Sequence, residues 1–192
     1  DDLSADGCSR DVQLVQSETI ARTVSARVVL LSDGLGNSTL QRHRELRSSV
    51  APTSRIGFGA IVRDFPDSYN TGTIFMAVSR GGYVGLVRVE DGSLNIAAAL
   101  DPEFVKGRSQ QAEPIARVLQ ESGFATIDGL ESASWSGTVR LTRRSLRPAG
   151  NRVLLLGDAA GYVEPFTGEG ISAALCSGAA AASLVSSRLA TW

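Results

Sequence analysis

The chain has 192 residues, enough to bury one sizeable core or two small lobes that share a sheet. Its 43% hydrophobic and 20% charged residues are those of a folded globular protein, and nineteen Lys plus Arg against twenty Asp plus Glu leave a formal charge of -1. That balance provides no basic field for nucleic acid or an anionic lipid surface, so neither is an expected partner. Cys8 and Cys176 lie far apart without CxxC or His-partner spacing, which argues against a disulfide framework or a zinc site and predicts a reducing, cytoplasmic setting. The first residues carry no basic and apolar leader pattern. Asp1 in place of an initiator Met predicts a chain that begins partway through a longer polypeptide.

Two short β-rich runs come first, at 12–16 and 27–31. The second, ending Val28-Val29-Leu30-Leu31, is aliphatic without alternation and reads as a strand buried on both faces of a parallel sheet. It stops at Ser32-Asp33-Gly34-Leu35-Gly36-Asn37, a turn cluster where backbone can approach a ligand. Strands are then predicted at 56–62, 73–78, 83–89 and 94–99, with Gly81-Gly82 and Asp91-Gly92 as hairpin punctuation, so this block reads as an antiparallel sheet. A helix follows at 113–121, with Pro114 in its first turn and Gly123 just past its end, and then a strand at 134–141. Arg143, Arg144 and Arg147 read as a solvated face able to receive a phosphate. A second aliphatic run, Val153-Leu154-Leu155-Leu156, predicts a partner for the first in one parallel sheet. The weakly polar stretch 171–190 is too diluted by serine and alanine for a membrane span and reads as a buried helix. The expected class is therefore α/β. Part of a Rossmann-like parallel sheet lies in residues 1–50 and 143–192, and an antiparallel substrate sheet is inserted at 51–142.

The chemistry concentrates near the C-terminus. Gly157-Asp158 places a carboxylate at the end of a buried strand, where open α/β sheets hold their ligands. Pro165 ends the next turn, and Gly168-Glu169-Gly170 leaves backbone bare where an alanine-rich helix begins. Such a start presents unpaired amides and the positive end of a helix dipole. Against a reduced flavin, negative near N1 and the C2 carbonyl, it would contribute about 0.3–2 kcal/mol. Glu169 also serves the helix dipole in its own right. Elsewhere, His43 reads as a surface residue, Tyr83 and Trp135 as core or pocket lining, and Cys176 as a small buried hydrophobe.

Gly157-Asp158 and Pro165-x-x-Gly168-x-Gly170 together resemble the second FAD-binding fingerprint of the superfamily that includes p-hydroxybenzoate hydroxylase and geranylgeranyl reductase. The resemblance implies that Asp158 binds the flavin ribitol and that Pro165, Gly168 and Gly170 lie against the isoalloxazine. Asp33-Gly34 resembles the family's Asp-Gly motif, which serves FAD and in some members the pyridine nucleotide. Asn37 and Leu40 stand where the family has serine and arginine, with Ser38 and Arg42 displaced from those places. No GxGxxG follows a strand, so the ADP half of an FAD site is expected upstream of this sequence.

The resemblance implies an FAD-dependent oxidoreductase using NAD(P)H. It would be either a monooxygenase that activates oxygen or a reductase that delivers hydride to a carbon-carbon double bond. No Trp-x-Trp-x-Ile-Pro element occurs, which by the same resemblance counts against a flavin halogenase. The few charges in 56–99 favour an apolar or aromatic small-molecule substrate. The competing reading is a non-enzymatic α/β module that binds a ligand or a partner, distinguished by the absence of flavin colour.

Overall fold

Backbone hydrogen bonds must be satisfied before side chains can be buried, and this chain does so mostly in ladders. The computed structural model describes residues 2–3, 7–17, 19–36, 39, 43, 46–107, 111–189 and 191, with the side chains of residues 2, 3, 21 and 167 left aside. The chain divides into two compact units, Asp1–Ala51 with Thr142–Trp192, and Pro52–Leu141.

The first unit opens with β1 (Asp2–Leu3), β2 (Arg10–Gln16) and β3 (Thr19–Ala26), an antiparallel meander. β3 escapes the sequence reading because Ala21, Arg22, Ser25 and Ala26 interrupt its β-branched residues and leave only two aliphatic ones, Ile20 and Val24. Next come β4 (Val29–Leu31) and β5 (Ser48–Val50).

The second unit holds β6 (Ile56–Val62), β7 (Ile74–Ser79), β8 (Gly82–Arg88), β9 (Leu94–Leu100), the single-turn α1 (Pro102–Val105), α2 (Ala112–Glu121) and β10 (Ser136–Arg140). Its strands form one antiparallel sheet in the order β10-β6-β9-β8-β7, as the turn signals predicted. Ala112, Ile115, Val118 and Leu119 recur at helical spacing and are all buried. They pack in one core with Val62, Val84, Leu86, Leu94, Ile96 and Leu100 of the sheet. α2 ends as its glycine predicts, with Gly123 at φ +73° and the Phe124 amide donating back to Leu119. Because strand residues alternate, the opposite face of β6–β9 carries Gly57, Gly59, Ile61, Ile74, Met76, Val78, Tyr83, Gly85, Val87, Asn95, Ala97 and Ala99, none of them charged.

Tyr69 anchors this core. It is 1% exposed, and its hydroxyl donates to the Ala125 carbonyl at 2.7 Å. Burial pushes its phenol above the ordinary tyrosine value. Trp135 is half-buried against this core, donating Nε1–H to the Leu130 carbonyl at 3.1 Å.

The chain then re-enters the first unit through β11 (Arg143–Ser145), β12 (Ala149–Gly150), β13 (Val153–Leu155), β14 (Gly161–Tyr162) and α3 (Gly170–Arg188). β13 pairs with β4 in parallel, Val153 opposite Val29 and Leu155 opposite Leu31, as the two aliphatic runs predicted. The surrounding sheet is small and mixed, with order β12-β13-β4 and β12 antiparallel, so among the described residues a full Rossmann-like sheet does not form. β13 is buried on both faces. β4 is not: Leu30 is 47% exposed, and among the described residues β4 pairs with β13 alone, correcting the expectation for 27–31. A second small sheet, β14-β11-β5, joins the two passages of the chain. Next to it, the Ala51 amide donates to the Thr142 carbonyl.

α3 departs furthest from expectation. It is nineteen residues long, and Ala181 is its one fully buried residue among those described, where a buried helix was predicted. Ile171 and Leu175 are 76% and 70% exposed, and Cys176 is exposed rather than buried. By length and composition it is apolar enough to cross a membrane.

Replacing Tyr69 by Phe is expected to cost about 0.5–1.5 kcal/mol of stability near neutral pH through loss of the hydrogen bond to Ala125. The folded state holds this phenol above its unfolded value of about 10, so the unfolded chain releases the proton first and stability falls as pH rises past that value. Tyr69→Phe removes this share of the alkaline loss. Urea unfolding of both proteins at pH 8 and pH 10.5 checks it, and equal pH dependences would refute it.

Candidate functional site

The parallel pairing of β4 and β13 sends both chain passages out at the same end of the sheet. Leu156 extends the ladder, its amide donating to the Leu31 carbonyl at 2.8 Å, and the turns beginning at Ser32 and Gly157 follow directly. Residues 157–159 form a single 3-10 turn with Gly157 at φ +53°. The Gly157 amide donates to Ser177 Oγ at 3.0 Å, and Ser177 Oγ donates to the Ala174 carbonyl at 2.9 Å. A Cβ at Gly157 would sit 3.4 Å from the Ala174 methyl. The Gly-Asp turn and α3 are therefore locked together by a close backbone approach and a serine hydroxyl. The sequence reading missed Ser177, which looks like filler on an alanine-rich helix twenty positions away.

Asp158 is half-buried and lines a cavity of about 130 Å³ together with Gly161, Tyr162, Glu164, Pro165, Glu169 and Gly170. Four of the predicted site residues, Asp158, Pro165, Glu169 and Gly170, thus share one cleft. Gly168 closes the 3-10 turn Pro165–Thr167 in a left-handed conformation, φ +72°, and donates to the Pro165 carbonyl at 3.1 Å. Added Cβ atoms at Gly168 or Gly170 would meet nothing within 4 Å, so this backbone faces open space. Glu169 stands at the N-cap position of α3 without a side-chain capping bond, and its carbonyl accepts the Ala173 amide. The amides of Gly170, Ile171 and Ser172 open the helix and have no carbonyl one turn back within it.

Tyr162 is a cleft residue that the sequence did not single out. Burial, reinforced by the charges of Asp158 and Glu164, raises its phenol above the ordinary value, so it remains a hydrogen-bond donor at neutral pH.

Asp33 and Gly34 leave the same sheet end but do not line this cavity. Asp33 is exposed, and its carboxylate accepts the Thr39 amide at 3.2 Å, a turn-closing role. Gly34 has φ +76°. Asn37, Ser38, Leu40 and Arg42 lie outside the described residues. His43 is half-buried, its Nδ1 3.5 Å from Nη2 of the buried Arg10. Tyr83, in the second unit, is buried beneath the Arg55 guanidinium, 5.7 Å from the ring centre.

No family model matches the sequence, and no curated protein matches it. Solved structures do match. A flavoprotein/dehydrogenase from Cytophaga hutchinsonii superposes with a TM-score of 0.68 at 16% identity, over 91% of this chain and 44% of that one. The fold is that of flavin-dependent enzymes. A triple mutant of the flavin-dependent brominase Bmp2 gives a TM-score of 0.70 at 13% identity, over 96% of this chain and 52% of the brominase. A point mutant of the halogenase PltM in complex with FAD gives 0.66 at 15% identity, over 88% of this chain and 37% of the halogenase. The chain thus spans about half or less of the length of these structures. A dehydrogenase and halogenases share the likeness, which is one of fold and does not choose among their reactions.

Gly157→Ala forces a side chain into the left-handed region, which costs about 1–2 kcal/mol, and brings its methyl against Ala174. Ser177→Ala leaves the Gly157 amide without the hydroxyl it uses and costs about 1–3 kcal/mol. Because both changes act on one junction, the double variant is expected to lose less than the two separate losses combined. Chemical denaturation of the four proteins tests this, and full additivity would show that turn and helix are not coupled.

Proposed function

We propose that this chain is part of an FAD-dependent oxidoreductase that draws electrons from NAD(P)H and acts on an apolar or aromatic small molecule. The observation that carries the reading is the single cleft shared by Asp158, Pro165, Glu169 and Gly170 at the start of a nineteen-residue helix. The residues fit the group. A half-buried carboxylate at a strand end suits polyol hydroxyls, and the bare backbone at Gly168 and Gly170 lets a flat ring approach closely. The opening amides of α3 favour negative charge at that ring. When bound, flavin supplies the two-electron chemistry, and the protein supplies orientation and charge.

In this reading Asp158 accepts hydrogen bonds from the ribitol, and Pro165 fixes the turn that presents Gly168. The amides of residues 170–172 would favour negative charge on the bound ring, and Glu169 and Tyr162, which line the same cleft, would border it, Tyr162 as a hydrogen-bond donor. Asp33 and Gly34 serve the cofactor from the neighbouring turn. An apolar substrate is supported by the strand residues on the outer face of β6–β9, none of which is charged. Hydroxylation and reduction are both compatible with this cleft.

The purified full polypeptide should be yellow, or become so on reconstitution with FAD, and should oxidise NAD(P)H. Asp158→Ala should weaken flavin binding about tenfold, the loss of one hydrogen bond to a charged acceptor, measured by flavin fluorescence titration. A colourless protein that cannot be reconstituted would end the reading in favour of a non-enzymatic binding module.

A further inference from the structure

The arginines after residue 142 do not form the uniform solvated face that the sequence suggests. Arg144 and Arg147 are exposed, whereas Arg143 is half-buried. The Arg143 backbone lies opposite Tyr162 in the β11–β14 ladder, which places it directly behind a wall of the Asp158 cleft. The same ladder is continued by the Ser145 amide, which donates to the Ala160 carbonyl at 3.1 Å, two residues from Asp158. The Arg143 side chain runs the other way: Nη1 donates to the Leu35 carbonyl at 2.9 Å, one residue past Gly34. One residue thereby bonds the Asp33 turn through its side chain and pairs through its backbone with β14, the strand that follows the Gly157 turn.

The bond from the Thr39 amide to the Asp33 carboxylate closes this turn on itself and does not tie it to its neighbour. Added Cβ atoms at Gly34 and Gly36 would meet nothing within 4 Å, so side-chain packing does not hold those positions, and Asp33 and Gly36 are exposed. A guanidinium suits the task. It reaches far, stays charged even when partly desolvated, and makes a charge-assisted bond to a carbonyl.

We propose that Arg143 is a positioning residue that sets the Asp33–Gly34 turn relative to the Asp158 cleft, so that the two turns engage one flavin together. This rests on the flavin reading above. Arg143 acts on the turn through the Leu35 carbonyl.

The test uses the full polypeptide and three variants: Arg143→Gln, Arg143→Lys and, as a control on the same strand, Arg144→Gln. FAD affinity is read by fluorescence titration, and the two turns are read by amide hydrogen exchange. Arg143→Gln is expected to raise the FAD dissociation constant about tenfold and to speed exchange at residues 34–36, with 153–161 unchanged. Arg143→Lys, which keeps a charged donor, should restore part of both effects, and Arg144→Gln should alter neither. Unchanged affinity together with unchanged exchange in Arg143→Gln overturns the proposal. So does faster exchange throughout β5, β11 and β14 in both Arg143 variants, which would show a ribbon that has merely melted. If the wild-type polypeptide takes up no flavin, the reading of the site fails by itself. Exchange then still decides the tether: acceleration confined to 34–36 upholds it, and none refutes it.

Discussion

Three residues of one strand lie parallel to three of another, and the candidate site depends on that short ladder. Val29–Leu31 and Val153–Leu155 come from opposite ends of the chain, yet their pairing makes both segments finish at one edge. Parallel strands cannot be joined by a tight turn. In this chain the intervening polypeptide is a whole second unit, with its own sheet and its own core. The ladder is held by Leu31, Leu46, Val153 and Leu155, a small aliphatic cluster separate from the larger core around α2. At the usual value of burying an aliphatic side chain, about 1.5–3 kcal/mol each, four such residues are enough to matter and few enough to be vulnerable.

From that edge, each further feature adds one constraint. The Gly157 amide bonded to Ser177 fixes the start of the turn against α3, and the 3-10 turn at Pro165 with left-handed Gly168 redirects the chain into the helix. Asp158 is left facing a cleft whose far side is the helix opening. The acidic surroundings, Glu164 and Glu169 with Asp158, are offset by the amides of the helix start and by the protonated Tyr162.

Much of this was legible in the residues. Aliphatic runs without alternation marked β4 and β13, and Gly-Gly and Asp-Gly marked the hairpins of the second unit. Pro114 and Gly123 bracketed α2 to within a residue. What failed was whatever depends on neighbours. Leu30 looks as buried as Leu154, but among the described residues the strand of one has a single partner and that of the other has two. Cys176 and the apolar residues of α3 have the composition of a core helix, yet composition does not say whether a second layer is present. Arg143 and Arg144 are indistinguishable as letters, and only the ladder shows which one turns toward Leu35. Of the site, Gly157, Asp158, Pro165, Gly168, Glu169 and Gly170 could be picked out because their spacing is local. Ser177 and Tyr162 could not, since their contribution depends on where the helix and a two-residue strand come to rest.

The chain leaves the first unit beside the point where it returns, with Ser48–Val50 laddered to Arg143–Ser145 and Ala51 bonded to Thr142 just beyond. Everything between is a detour whose ends are already tied. For such a detour, each doubling in length adds only about 0.6 kcal/mol of closure entropy. Grafting a longer, shorter or altogether different lobe onto this neck would therefore cost the first unit little, so residues 52–141 can be exchanged as one cassette while the turns after β4 and β13 keep their places.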